Sequence, residues 1–158
     1  MIKFNKKSLG QNFLKDKNII NKILSLTKLK NKNIIEIGPG SGALTNQIIK
    51  QNPKSLVAIE KDNLLSKELK TKYYNNKIIK ILNKDFLKLD FEKLNTKESI
   101  IIGNLPYNVS SQILVKIIRS KKWPPNFSDI IFMFQKSLAR PRFFIELQIF
   151  VTKGTYSY

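Results

Sequence analysis

Apolar positions along this chain fall into blocks that alternate between two periods. Ile19, Ile20, Ile23, Leu24 and Leu26 recur at helical spacing, with Lys17, Lys22 and Lys28 outside the stripe and Asp16 standing where a helix cap belongs. Ile34, Ile35 and Ile37 then form a short apolar run, the pattern of a buried parallel strand. Gly38, Gly40 and Gly42 follow it, and Leu44, Ile48 and Ile49 resume helical spacing until Asn52-Pro53 ends the helix. The same order repeats: a strand over residues 55–60, a helix marked by Leu64, Leu65 and Leu69, and a strand over 77–83 that runs into Lys84-Asp85-Phe86. From Ser99 a fourth strand ends in Asn104-Leu105-Pro106-Tyr107. Ser110 or Ser111 then caps a helix carrying Ile113, Leu114, Ile117 and Ile118, Trp123-Pro124-Pro125 makes a turn, and residues 129–134 give a fifth strand. Strands and helices alternating at this spacing predict an α/β fold with a parallel, doubly wound sheet covered on both faces.

The chain has 158 residues, one domain's worth, and no internal repeat or Gly/Ser linker divides it. A chain of this size buries roughly 70% of its unfolded surface. Lys and Arg number 29 against 11 Asp and Glu, a net charge of +18, which points to a polyanionic partner, nucleic acid first. Abundant Lys, Asn and Ile also match the composition of proteins from AT-rich genomes, a duller source for part of the excess. The absence of cysteine and histidine excludes a disulfide framework, thiolate or imidazole metal sites and histidine acid–base catalysis. The basic start lacks the apolar stretch of a signal peptide, and no apolar run approaches membrane-spanning length, so a cytoplasmic protein is expected.

In doubly wound sheets, ligands bind beyond the carboxyl ends of the strands. The distinctive polar residues fall there: the glycine turn after the first strand, Glu60 after the second, Asp85 after the third, and Asn104 to Tyr107 after the fourth. The glycines permit positive φ and let a small molecule lie against the backbone. Gly38-x-Gly40-x-x-Ala43 also satisfies the loose dinucleotide fingerprint, with Glu60 placed to accept from ribose hydroxyls, so a pyrophosphate and an adenosylmethionine both remain open at this point. A bare turn, with Glu60 and Asp85 acting as helix caps, is the bland alternative. Asn104-Leu105-Pro106-Tyr107 is sharper. Pro106 stiffens a turn that can aim an amide, a carbonyl and an aromatic ring at one spot. An exocyclic adenine amine is a poor nucleophile because its lone pair is delocalised. The Asn104 oxygen and a main-chain carbonyl could hold its N–H groups and turn the lone pair outward, with Tyr107 stacking on the base.

Gln11-Asn12-Phe13-Leu14, the stretch from Glu36 to Thr45, Glu60, Asp85 and Asn104 to Asn108 together resemble the ribosomal RNA adenine N6,N6-dimethyltransferase family, in its small-subunit branch. The resemblance implies a Rossmann-like class I methyltransferase fold. It implies S-adenosyl-L-methionine cradled at Gly38, with Asn12 and Leu14 closing over it, Glu60 on the ribose hydroxyls and Asp85 on the cofactor's adenine amine. Asn104, the Leu105 carbonyl and Tyr107 would position the target adenine, Asn104 bordering the cofactor as well. Two methyls would go to N6 of each of two adjacent adenosines near the 3′ end of small-subunit (16S) ribosomal RNA, in the cytoplasm, with the small ribosomal subunit as partner and with neither metal nor membrane involved. The related large-subunit branch usually lacks the proline and leucine of GPGSGALT and usually has Asn-Ile-Pro in its fourth-strand motif.

The match extends from about Ser8 to Lys136, dividing the chain into an N-terminal loop and helix (residues 1–32), a partial methyltransferase core (33–136) and a tail (137–158) that does not follow the family pattern. A truncated or frameshifted gene product, lacking the last strands and the C-terminal helical domain, is the expectation. In the strand order 3-2-1-4-5-7-6 of such methyltransferases, the loss leaves the fifth strand as an unpaired edge through which the chain would form oligomers, and residues 143–151 add an apolar segment with strand tendencies. A nicotinamide-dependent dehydrogenase leaves Asp85 and the fourth-strand motif unexplained. A non-catalytic basic protein docking on ribosomal RNA shares the charge and is separated from the enzyme by methyl transfer.

Overall fold

A computed structural model describes residues 17–94, 98–119, 127–135 and 145–150. The elements are α1 (Lys17–Ser25), β1 (Asn33–Ile37), α2 (Ala43–Lys50), β2 (Ser55–Glu60), α3 (Asn63–Lys72), β3 (Ile79–Asn83), a single 3-10 turn (Phe91–Leu94), β4 (Ser99–Pro106), α4 (Tyr107–Ile118), β5 (Phe127–Gln135) and β6 (Ile145–Phe150). Among the described residues the strands form one sheet in the order β3-β2-β1-β4-β5-β6, parallel from β3 to β5. The predicted doubly wound parallel sheet is therefore observed. β1 lies at its centre, which explains its continuous apolar run: Ile34, Ile35 and Ile37 are all buried, Ile35 and Ile37 on one face of the sheet and Ile34 on the other as the pleat alternates.

The core is two layers divided by the sheet. Ile34, Leu56, Ile100, Ile102 and Ile131 point toward α1 and α2, meeting Ile20, Ile23, Leu44 and Ile48. Ile35, Ile59, Ile101, Ile130 and Phe132 point to the other side, where Ile113 and Ile117 of α4 and Phe86 of the β3–β4 connection cover them. Each such fully buried side chain contributes roughly 1.5–3 kcal/mol of transfer free energy. On that second side Lys116 of α4 reaches the connection and donates to the carbonyls of Leu87 and Leu89, both at 2.6 Å, with its ammonium over the Phe86 ring.

Two expectations are corrected. α4 begins at Tyr107, not after a serine cap at Ser110 or Ser111, and Ser110 is buried inside the helix, because β4 runs on through Pro106 and passes directly into helical geometry, with no separate turn over Asn104 to Tyr107. β5 is not an unpaired edge. The segment Ile145–Phe150 lies antiparallel along it, Ile130 opposite Phe150 and Gln135 opposite Ile145. The physical reason is the one that made the edge a liability: β5 presents a row of backbone donors and acceptors, and an apolar segment of the same chain satisfies them. β6 thus takes the place next to β5 that the seventh strand holds in the expected order. Asp16 and the Trp123-Pro124-Pro125 turn lie outside the described residues. Among those described, no helix is long and apolar enough to cross a membrane.

Candidate active site

The carboxyl ends of β3, β2, β1 and β4 stand side by side along one rim, with the turn after β1 at its centre. Gly38, Gly40 and Gly42 all adopt left-handed backbone, with φ of 67°, 58° and 82°. At Gly38 the requirement is double: beyond its φ, a Cβ would stand 2.6 Å from Cδ2 of Leu105, closer than carbon atoms approach. Gly42 precedes α2, and a Cβ there would meet Cδ2 of Leu69 at 2.9 Å and the Tyr73 hydroxyl at 3.0 Å. Ile37 pairs with Gly103 in register, so Gly38 and Asn104 are the next residues along neighbouring strands. The end of β4 therefore adjoins the glycine turn, with Leu105 buried against it and Asn104 half-buried.

Glu60 joins this turn to β2. Its side chain is buried, and its carboxylate accepts the N–H of Gly40 at 3.0 Å through Oε2 and that of Asp62 at 2.8 Å through Oε1. Each oxygen retains a further lone pair for a hydroxyl donor. The Glu60 carbonyl accepts from the N–H of Lys84 and the Asn83 amide, both at 3.0 Å, which draws the end of β3 against the end of β2. Next along the rim, Asp85 accepts the Leu87 N–H at 3.0 Å through Oδ1 and the Lys61 ammonium at 3.1 Å through Oδ2. Desolvation raises its pKa, but the Lys61 and Leu87 hydrogen bonds, with the charges of Lys61 and Lys88, outweigh that and hold the carboxyl below its ordinary value. A hollow of about 500 Å³ opens against Asp85, lined also by Lys61, Asn63, Asn83, Lys84 and Lys88.

Beneath the turn sits a polar cluster. Glu36, in the middle of β1, is 1% exposed and accepts the Thr45 hydroxyl at 2.7 Å. Burial pushes its carboxyl up from 4.5 to about 7, the Thr45 hydrogen bond opposing the rise and the Glu60 charge adding to it. Tyr73, at the end of α3, donates to Asn46 Oδ1 at 2.6 Å and approaches the Gly42 carbonyl at 3.3 Å; burial, then the Glu36 charge, push its phenol up to about 12. Sequence pattern marks Glu36 and Thr45 only as the ends of the glycine-turn motif and gives Tyr73 and Lys61 no part. Glu36 carried a visible signal, a charge inside an apolar strand run; the others carried none, since their partners lie 9 to 31 residues away.

Gly38, Glu60, Asp85, Asn104 and Leu105 are thus brought to one rim. Asn12 and Leu14 lie outside the described residues. Pro106 ends β4 and Tyr107 starts α4, so both backbones continue from Leu105 at the same rim. Among the described residues no cluster of acidic side chains could hold a metal ion. What the rim offers is a glycine-rich turn and buried and half-buried carboxylates at successive strand ends. That set fits a nucleoside: hydroxyl acceptors at Glu60 and an amine acceptor at Asp85.

Residues 2–144 match the model of the ribosomal RNA adenine dimethylase family. The chain belongs to that family. It is 46% identical over 137 residues to Ribosomal RNA small subunit methyltransferase A of Pelagibacter ubique, covering 85% of this chain and 50% of that protein. The protein of the same name from Mycoplasmopsis synoviae is 42% identical over 135 residues, with the same two coverages. The chain spans about half the length of these curated relatives. Among solved structures, the 23S rRNA methyltransferase ErmE superposes with a TM-score of 0.67 at 26% identity, covering 78% of this chain and 48% of that one. A dimethyladenosine transferase from Plasmodium falciparum superposes at 0.65 and 28% identity, covering 78% and 43%. An RNA methyltransferase from Salinibacter ruber in complex with S-adenosyl-L-homocysteine, 14% identical with a TM-score of 0.62, shares the fold.

Proposed function

We propose that this chain is the cofactor-binding part of an S-adenosyl-L-methionine-dependent adenine N6,N6-dimethyltransferase acting in the cytoplasm on small-subunit ribosomal RNA. The observation that carries this reading is the junction of β1 and β4, where the Leu105 side chain fills the space that a side chain at position 38 would need. It supports joining in one site two segments far apart in sequence, the glycine turn and the end of β4 that carries Asn104. When bound, the cofactor supplies an electrophilic methyl on a sulfonium. Glu60, oriented by two backbone N–H groups, accepts from the ribose hydroxyls, and Asp85 accepts from the cofactor's adenine amine.

On the substrate side, the Asn104 side-chain oxygen and the Leu105 carbonyl accept the two N–H groups of the target amine. Holding both donors in place turns the nitrogen lone pair toward the methyl and replaces water that would otherwise compete. Pro106 limits the freedom of the strand end that carries Asn104. A net charge of +18 favours a polyanion such as RNA in the small ribosomal subunit. Cofactor binding is expected of this chain, because Gly38, Glu60 and Asp85 all lie within it.

Calorimetry with S-adenosyl-L-methionine tests the reading. Asp85→Ala removes a charged hydrogen-bond partner and should weaken binding by about 10- to 100-fold, the equivalent of roughly 1.5–3 kcal/mol. Binding indifferent to that substitution would dismiss the adenine pocket. Tight binding of a nicotinamide dinucleotide in its place would redirect the glycine turn to another chemistry.

A further inference from the structure

The nucleobase side of the proposed site carries its own competitor. Of the two Asp85 oxygens, Oδ1 is engaged by the N–H of Leu87, two residues on, and Oδ2 by the Lys61 ammonium. The partners differ in kind. Leu87 contributes backbone held in a turn, whereas Lys61 contributes a long side chain, 75% exposed against 19% for Asp85, whose ammonium can leave for water. Lys61 and Asp85 both line the 500 Å³ hollow, with Lys84 and Lys88 around them. An adenine amine directed at Oδ2 of Asp85 must therefore share or displace a full positive charge.

We propose that Lys61 is an affinity-setting residue that competes with the cofactor's adenine amine for Oδ2 of Asp85 and so promotes cofactor exchange. The proposal rests on the reading of Asp85 as the adenine acceptor. Its chemical sense follows from the stoichiometry: each dimethylated base consumes two methyl donors, so demethylated cofactor must leave between transfers. An ammonium that returns to Asp85 as the amine departs favours that release. The competition is ionic on one side and neutral on the other, which gives it a signature. Salt screens the Lys61–Asp85 pair but acts little on a neutral N–H donor.

The experiment is titration calorimetry of the full chain with S-adenosyl-L-homocysteine, which carries no net charge, at low and near-physiological ionic strength. Native protein is compared with Lys61→Met, Lys61→Gln and Asp85→Asn. Both Lys61 variants are expected to bind roughly two- to five-fold tighter at low salt, the range of an exposed ion pair. Added salt should tighten native binding and close the gap, leaving the variants flat. Equal or weaker binding by both Lys61 variants, or a gap that salt does not change, overturns the proposal while Asp85→Asn still weakens binding. If Asp85→Asn binds like the native protein, or if nothing binds, the cofactor-site reading itself fails and the proposal falls with it.

Discussion

Glu36→Gln isolates the cost of keeping a carboxyl under the glycine turn. Glu36 is 1% exposed, and its pKa is pushed from 4.5 to about 7, with desolvation as the main cause. A raised folded-state pKa means that the folded protein binds more protons than the unfolded chain between those values, so stability falls as pH rises through that window. The contribution is fully present below 4.5 and lost above about 7. That interval corresponds to about 3 kcal/mol, a large share of the 5–15 kcal/mol that holds a typical domain together. Gln keeps the shape and an oxygen for the Thr45 hydroxyl but does not ionise. Its own fit, good or bad, shifts stability by the same amount at every pH, so the informative quantity is the change in the mutant-minus-native difference between about pH 5 and about pH 8. Tyr73 does not contribute, because its phenol titrates near 12. Urea unfolding at both pH values should show the variant gaining up to about 3 kcal/mol relative to native at the higher one, or roughly 6–12 °C in melting temperature for a chain of this size. A difference that stays constant with pH would refute the burial argument.

Three further outcomes are expected. Gly38→Ala combines a left-handed backbone with a methyl 2.6 Å from Leu105, and should cost at least about 2 kcal/mol in urea unfolding; a loss under 0.5 kcal/mol would mean that the turn relaxes freely. Lys116→Met removes the ammonium that ties the carbonyls of Leu87 and Leu89 to α4, so amide exchange in residues 84–90 should accelerate and stability fall by about 1.5–3 kcal/mol, whereas unchanged exchange would reduce the bonds to ornament. Deleting residues 137–158 removes β6 and exposes the backbone edge of β5; light scattering should then report association, and a monodisperse monomer would contradict the account of that edge.

The elements were largely legible from local pattern. Two-face apolar runs such as that of β1 and helical stripes such as Ile113 to Ile117 are set by contacts that repeat every two or three to four residues, so each declares its own period. The rule that parallel sheets carry ligands at their carboxyl ends points to the same rim, because Gly38, Glu60 and Asp85 stand at or just beyond strand ends and Asn104 lies near the end of β4. What pattern alone left open depends on which strands become neighbours. The pairing of β1 with β4 brings Leu105 onto Gly38 across 67 residues of chain, and the β2–β3 pairing lets Lys61 find Asp85. The antiparallel docking of β6 onto β5 reversed the expectation of an open edge for the same reason. Periodicity records the environment of one residue, while a carboxylate's partner or an edge strand's cover is chosen by the packing of the whole sheet.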